Sequence, residues 1–362
     1  MDKVKKGTIE LRDKLISNLN SVFRPGSGSN MGMALEFPHL FSDENMRNTY
    51  YIEEDGKIVS QASVFDWKCN LNGYTLKVAS LGSVSTLPEY RHRGLSTKVI
   101  REVVKDKTDN GFHLLLVSGE LDLYKKIGCV KTGKVLIGIL NGEINQLNNF
   151  KTVRISVSDR KERSFEYHKL YALEKFRYFR TPDLSKILID SLWFKRESAV
   201  MELYEVKSSN EIKAYVVAYR QKKERTVKVM EYAGNRKAII ESLSFILKDL
   251  EGDWLKFNVN TEDLELISLC KELNISTTSS YAQGTLMCLD VNGLEEIVNS
   301  IVREKLGWDF SATQIANETW RVSIESKDYI ITGRSQLTDF IFGWEDEKLA
   351  INMMFTDDLS YI

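Results

Sequence analysis

The sequence has no excess of charge of either sign: 50 Lys and Arg stand against 51 Asp and Glu, a formal net charge of −1. Its basic residues are not gathered in one tail. That argues against a nucleic-acid partner and against a polybasic membrane anchor. Cysteine is scarce. Cys69, Cys129, Cys270 and Cys288 form no CxxC pair and none stands close to a histidine. Neither a metal site nor a disulfide framework is expected, and a reducing compartment fits. No apolar run approaches the ~18 residues of a membrane span. The opening MDKVKKGTIELRDKLISNLN also lacks the apolar centre of a signal peptide. The expected compartment is therefore the cytoplasm, with no membrane partner.

What is present describes a globular chain. Hydrophobic residues make up 43% and charged residues 28% of 362 positions. That length exceeds one ordinary core and suits two or three domains. The first segment reads as a helix with Ile9, Leu11, Leu15, Ile16 and Leu19 on one face. A Gly/Ser-rich loop follows at 24–30. Asp55-Gly56 and Asn72-Gly73 then mark tight hairpin turns between β-patterned runs. A strand at about 78–86 is followed by a helix from Gly94 to Lys107 and by the strand HLLLVS at 113–118. This crossover implies parallel pairing. The fold class is α/β with a mixed sheet, antiparallel at first and parallel in its middle.

After residue 150 the order of hairpin, strand, helix, strand and short helix repeats, with little residue identity. The tail from 289 reads as a separate small α+β unit. The expected domains are residues 1–150, 151–288 and 289–362.

The stretch carrying most chemical information is Val84-Ser85-Thr86-Leu87-Pro88-Glu89-Tyr90-Arg91-His92-Arg93-Gly94-Leu95-Ser96-Thr97. A strand ends, a proline closes it, and a basic loop with a glycine opens a helix. The first N–H groups of a helix lack intrahelical partners, and its dipole favours negative charge there. Gly94 lets an anion approach the backbone without meeting a Cβ, and Arg91 and Arg93 add charged donors. The loop matches neither GxxxxGK[ST] nor GxGxxG. Taken alone, R-x-R-G is also what an exposed helix start looks like.

Arg91-x-x-Gly94-x-Ser96 after Val84-x-Thr86-x-Pro88 resembles the acetyl-CoA loop of the GNAT acetyltransferases, V-x-V-x-P-x-x-[QR]-x-x-G-x-[GA]. Ser96 replaces the usual small residue. Leu123-Tyr124-Lys125-Lys126-Ile127-Gly128-Cys129 is similar to the Y-x-x-x-G-F segment of the same superfamily, with Cys129 in place of the aromatic. Two GNAT-like halves followed by a small tail resemble the enhanced-intracellular-survival (Eis) type. In that type the second half lacks a working cofactor loop and the tail is sterol-carrier-like. Here Val229-Met230-Glu231-Tyr232-Ala233-Gly234-Asn235-Arg236 stands where a second loop would sit.

The resemblance implies acetyl-CoA as co-substrate, no metal, and direct acetyl transfer to a primary amine of a small molecule or peptide, aminoglycosides and polyamines among them. It gives the backbone of Val84, Ser85 and Thr86 to the pantetheine arm and thioester. It gives Arg91, His92, Arg93, Gly94, Leu95, Ser96 and Thr97 to the pyrophosphate, and adds Gly119 and Glu120 to the cofactor site. Tyr124 would protonate the thiolate. The C-terminal carboxylate, here of Ile362, would help deprotonate the amine, with Asp357, Asp358 and Glu120 as alternatives. A homo-oligomer is left open.

His39, His113 and His168 read as structural or surface residues, and Cys129 as packing. The aromatics of FEYHKLYALEKFRYF at 165–179 fit core packing or an acceptor pocket. Two competing functions remain. One is a catalytically silent GNAT pair that binds acetyl-CoA or an apolar ligand. The other is aminoacyl transfer to peptidoglycan-precursor amines, against which the intact Arg91-to-Ser96 loop argues.

Overall fold

The computed structural model describes residues 3–25, 32–144, 149–192, 199–345 and 348–362. Positions 26–30 of the Gly/Ser-rich loop lie outside them. The chain groups into two compact units. One comprises residues 1–133, 282–353 and Ile362; the other comprises residues 134–281 and 354–361.

In the first unit, α1 (Arg12–Phe23) buries Leu15, Ile16 and Leu19. Ile9 and Leu11, expected on the same face, fall in a 3-10 turn (Ile9–Leu11), and Ile9 is left exposed. Three residues per turn carry side chains off the helical stripe. A short helix α2 (Gly32–Glu36) follows. Strands β1 (Lys5–Lys6), β2 (Thr49–Glu54), β3 (Lys57–Leu71) and β4 (Tyr74–Thr86) form an antiparallel meander. Its tight turns are those expected: Asp55 and Gly56 have φ of 49° and 76°, and Asn72 and Gly73 have 50° and 104°. Positive φ at both central residues gives the twist that a two-residue hairpin needs.

Helix α3 (Leu95–Asp109) crosses from β4 to β5 (Leu114–Val117), which pairs with β4 in parallel. It buries Leu95, Val99, Ile100 and Val103, a 3.6-period stripe packed on the sheet. A single turn, α4 (Asp122–Lys125), follows. The far edge of β5 pairs antiparallel with the strand Thr285–Cys288. The opposite sheet face is covered by α1 and α2, and Ile362 is buried among their side chains. The helix Val291–Leu306, an antiparallel three-stranded sheet (Phe310–Ala316, Thr319–Ile324, Lys327–Thr332) and the helix Arg334–Phe342 belong to this unit as well.

The second unit contains β6 (Lys134–Leu140), β7 (Lys151–Arg154), three helices α5 (Val157–Glu162), α6 (Ser164–Tyr171) and α7 (Pro182–Ser191), and a short strand β8 (Phe176–Tyr178). Then come β9 (Ala199–Ser208), β10 (Glu211–Gln221), β11 (Thr226–Gly234), α8 (Arg236–Asp249), β12 (Trp254–Val259), α9 (Leu264–Glu272) and β13 (Ser276–Tyr281). Its sheet runs β13-β6-β12-β11-β10-β9-β7. β11, α8 and β12 form a parallel crossover matching β4, α3 and β5.

Candidate active site

The site begins where β4 loses a neighbour. The parallel pairing of β4 with β5 covers only Val78–Leu81 against Leu114–Val117. β4 nevertheless runs on to Thr86, held on its other side by β3. The edge from Gly82 to Thr86 therefore presents peptide groups with no strand beside them among the described residues. Within this stretch the β3–β4 register shifts, from Ser63 opposite Gly82 to Gln61 opposite Ser85, and Ser83 adopts φ +53°. Such a bulge re-aims the backbone next to a site. The Ser85 hydroxyl there is buried and without a hydrogen-bond partner among the described residues.

Past Thr86 a 3-10 turn (Pro88–Tyr90) leads to Arg91, His92, Arg93 and Gly94, all exposed. His92 and Gly94 have φ of 64° and 73°, and a Cβ at Gly94 would meet nothing within 4 Å. Gly94 is the N-cap of α3 without a side chain closing the helix end. The amides of Leu95, Ser96 and Thr97 thus begin a 15-residue helix facing an open approach. The two arginines differ. Among the described residues Arg91 reaches only the Thr86 carbonyl, at 3.4 Å from its Nε. Arg93 donates both terminal nitrogens to Glu54, at 3.0 and 2.6 Å. Only Arg91 keeps a guanidinium available to an anion without breaking an ion pair.

Beyond β5, Gly119 admits the ring of Tyr124. A Cβ at Gly119 would lie 2.9 Å from Tyr124 Cε2. Tyr124 is buried to 7% exposure, and its hydroxyl has no protein partner among the described residues. Burial, and secondarily Cys129, pushes the phenol up to about 12. Glu120 is paired with Lys131 at 2.7 Å. Ile362 is buried beside Gly82: a Cβ there would lie 3.2 Å from the terminal carboxyl carbon and 3.2 Å from Ile362 Cγ1. Ile362 thus lies against Gly82 on the sheet face that α1 and α2 cover.

Residues 3–131 match the family model described as an acetyltransferase (GNAT) domain. The chain carries a GNAT domain. No curated protein matches it. Among solved structures, it is similar to a GCN5-related N-acetyltransferase from Anabaena variabilis, at 13% identity and TM-score 0.64 over 100% of both chains. A probable N-acyltransferase from Enterococcus faecalis matches at 16% identity and TM-score 0.62, over 92% of this chain and 86% of that one. Eis1 from Mycobacterium abscessus matches at 12% identity and TM-score 0.56, over 82% and 76%. Residues 3–131 thus match a GNAT domain, and the chain shares the fold of these structures.

The second unit repeats the divergence with a different mouth. β11 pairs with β12 only over Thr226–Lys228 and Trp254–Lys256, although both strands continue. Here the helix end is closed. Asn235 caps α8 by accepting from the Ala238 amide. Arg236 is held by Glu174 at 2.5 Å and by Asp263 at 2.7 Å. Sequence reasoning noted the missing loop but not this plug.

It also missed a buried network. Arg180, 2% exposed, pairs with Glu231 at 2.7 Å and Asp358 at 3.1 Å, while Tyr215 and Tyr171 donate to the same carboxylates. A lone Glu between apolar residues in VMEYA was the available signal. Asp358 is thus engaged in the second unit, and Asp357 accepts from Asn258 at 2.7 Å.

The bland residues are placed as packing groups. His39 is buried against Phe65 and Trp67. His113 accepts from the Lys77 amide, and His168 bonds Ser185. All four cysteines are buried and in no disulfide, and burial raises the Cys129 thiol to about 12. Of the 165–179 aromatics, Tyr167 donates to Glu205 and Tyr171 to Asp358, whereas Phe165 and Phe179 are exposed. Among the described residues no group of His, Cys, Asp and Glu could hold a metal, and no helix is long and apolar enough to cross a membrane.

Proposed function

We propose that the first unit is an acetyl-CoA-dependent N-acetyltransferase that acts on a primary amine of a small molecule or peptide, aminoglycosides and polyamines among them. The observation that carries this is the unpaired β4 edge from Gly82 to Thr86 leading directly into the uncapped N-terminus of α3. An extended amide chain ending in phosphates suits such a surface. Peptide groups on the edge take the amides, and helix N–H groups take the anion.

In this reading Val84, Ser85 and Thr86 hold the pantetheine arm, and the bulge at Ser83 aims an N–H at the thioester oxygen. The Leu95–Thr97 amides with Arg91 hold the pyrophosphate. His92 contributes its backbone, and Gly94 gives clearance. Gly119 makes room for Tyr124, which donates its proton to the departing thiolate. A phenol held protonated by burial is a suitable donor to a group of ordinary pKa near ~8.5. The Ile362 carboxylate takes a proton from the acceptor ammonium. Glu120, paired with Lys131, and Arg93, paired with Glu54, act by shaping the loops. The second unit is read as a GNAT-like partner without a cofactor loop, because Arg236 and Asn235 occupy the corresponding position.

The test is calorimetric titration of acetyl-CoA into wild type and Arg91→Ala, followed by amine screening with Tyr124→Phe as control. One lost charge-assisted contact should weaken binding about tenfold to a hundredfold. Failure of wild type to bind acetyl-CoA would remove the reading and leave the fold as a scaffold.

A further inference from the structure

A groove of about 550 Å³ opens on the first unit at the end of the sheet away from the cofactor loop. Lys77, in its wall, precedes Thr86 by nine residues of β4, roughly 30 Å at ~3.3 Å per residue. The groove is rich in cations: Lys6, Arg47, Lys68, Lys77 and Lys107 line it, against only Asp66 and Asp106.

Both acids are already taken. Asp66 pairs with Lys107 at 2.6 Å, and Lys107 is itself buried to 3% exposure. Asp106 pairs with Lys6 at 2.7 Å and accepts from the Tyr50 hydroxyl. Arg47, Lys68 and Lys77 then have no ion-pair partner among the described residues. Lys68 and Lys77 stand directly opposite one another in the β3–β4 register, and like charges at such positions repel. A cation in the last turn of α3, such as Lys107, answers the helix dipole. Asp290 Oδ2 and Lys77 Nζ each lie 3.9 Å from where a Cβ at Gly111 would stand, without forming an ion pair, and Lys68 faces Lys77 rather than an acid in the β3–β4 register.

We propose that this groove binds a small phosphate-type polyanion. Lys68 and Lys77 supply point charges from the sheet, and Arg47 supplies a planar fork from the turn before β2. The polyanion converts the lysine repulsion into shared attraction. The site is independent of acetyl transfer and of the α3 N-terminus.

The probe is inorganic pyrophosphate, titrated into the full chain by calorimetry. Comparison is made among wild type, Arg91→Ala, and Lys68→Gln combined with Lys77→Gln. Because the cofactor loop is itself read as a pyrophosphate site, we expect two binding events in wild type, of which the lysine pair weakens one at least about tenfold and Arg91→Ala weakens only the other. Without the anion, the lysine double variant should melt at the wild-type temperature or above, because a repulsion has been removed. Loss of all binding in Arg91→Ala, with full binding in the lysine variant, would assign the anion to the cofactor loop and overturn the proposal. So would no binding by wild type, or a lowered melting temperature in the lysine variant, which would show those charges to be paired already.

Discussion

Removing the last residue separates the catalytic part of this reading from its structural part. Ile362 is 7% exposed, and its carboxyl carbon lies against Gly82 of β4. Deleting Ile362 moves the terminal carboxylate back by one extended residue, about 3.4 Å. A general base displaced by that distance loses its hydrogen-bond reach, and such groups contribute about 10²–10⁴ in rate. The expected result is a fall of that size in kcat with little change in acetyl-CoA affinity. Losing a buried isoleucine side chain also costs about 1.5–3 kcal/mol of stability.

Extending the chain by one glycine keeps the side chain and moves only the carboxylate. It should reproduce the kinetic loss with most of the stability retained. The assay is steady-state acetylation of a screened amine, with thermal melts alongside. Unchanged kcat in both variants would refute a basic role for the terminus, because neither could place a carboxylate at Gly82.

Other outcomes follow from particular residues. Tyr124→Phe should lower kcat about 10²–10⁴-fold. Because burial raises its phenol to about 12, the wild-type rate should show no basic limb from this residue below about pH 11; one near 9 that the variant removes would contradict the assignment. Gly94→Ala forces φ +73° on a residue with a Cβ, costing about 1–2 kcal/mol. It also puts a methyl where phosphates would approach, so calorimetry should show weaker acetyl-CoA binding.

Burial lifts the Asp358 carboxyl to about 7, above its ordinary value near ~3.9. The folded chain then holds that proton more tightly than the unfolded chain. This contribution to stability is present at low pH and is lost as pH rises from about 4 to 7. Asp358→Asn should flatten that decline in denaturant titrations. Arg180→Met strands two buried carboxylates and should cost about 3–5 kcal/mol, read from the same titrations at neutral pH.

Local order supplied much of the first half directly. Asp55-Gly56 and Asn72-Gly73 encode hairpins because their central residues tolerate positive φ. The α3 stripe encodes its packed face through spacing alone. The strand, Pro88, basic loop and Gly94 encode an anion-accepting helix start because every part lies within 14 consecutive residues. Tyr124 was legible for the same reason, being one short segment after β5.

What depended on residues far apart in sequence was settled only by tertiary structure. Glu54 and Arg93 are 39 positions apart, and their pairing leaves Arg91 as the available cation. The divergence of β4 from β5 is a property of two strands in register, which no single window contains. Arg180, Glu231 and Asp358 are scattered over 178 positions and meet because a buried charge requires partners. The last residue offered only an aliphatic side chain and a carboxylate. Its place against Gly82, 280 positions earlier, exists because the absent Cβ leaves room for it, a relation of packing rather than of pattern.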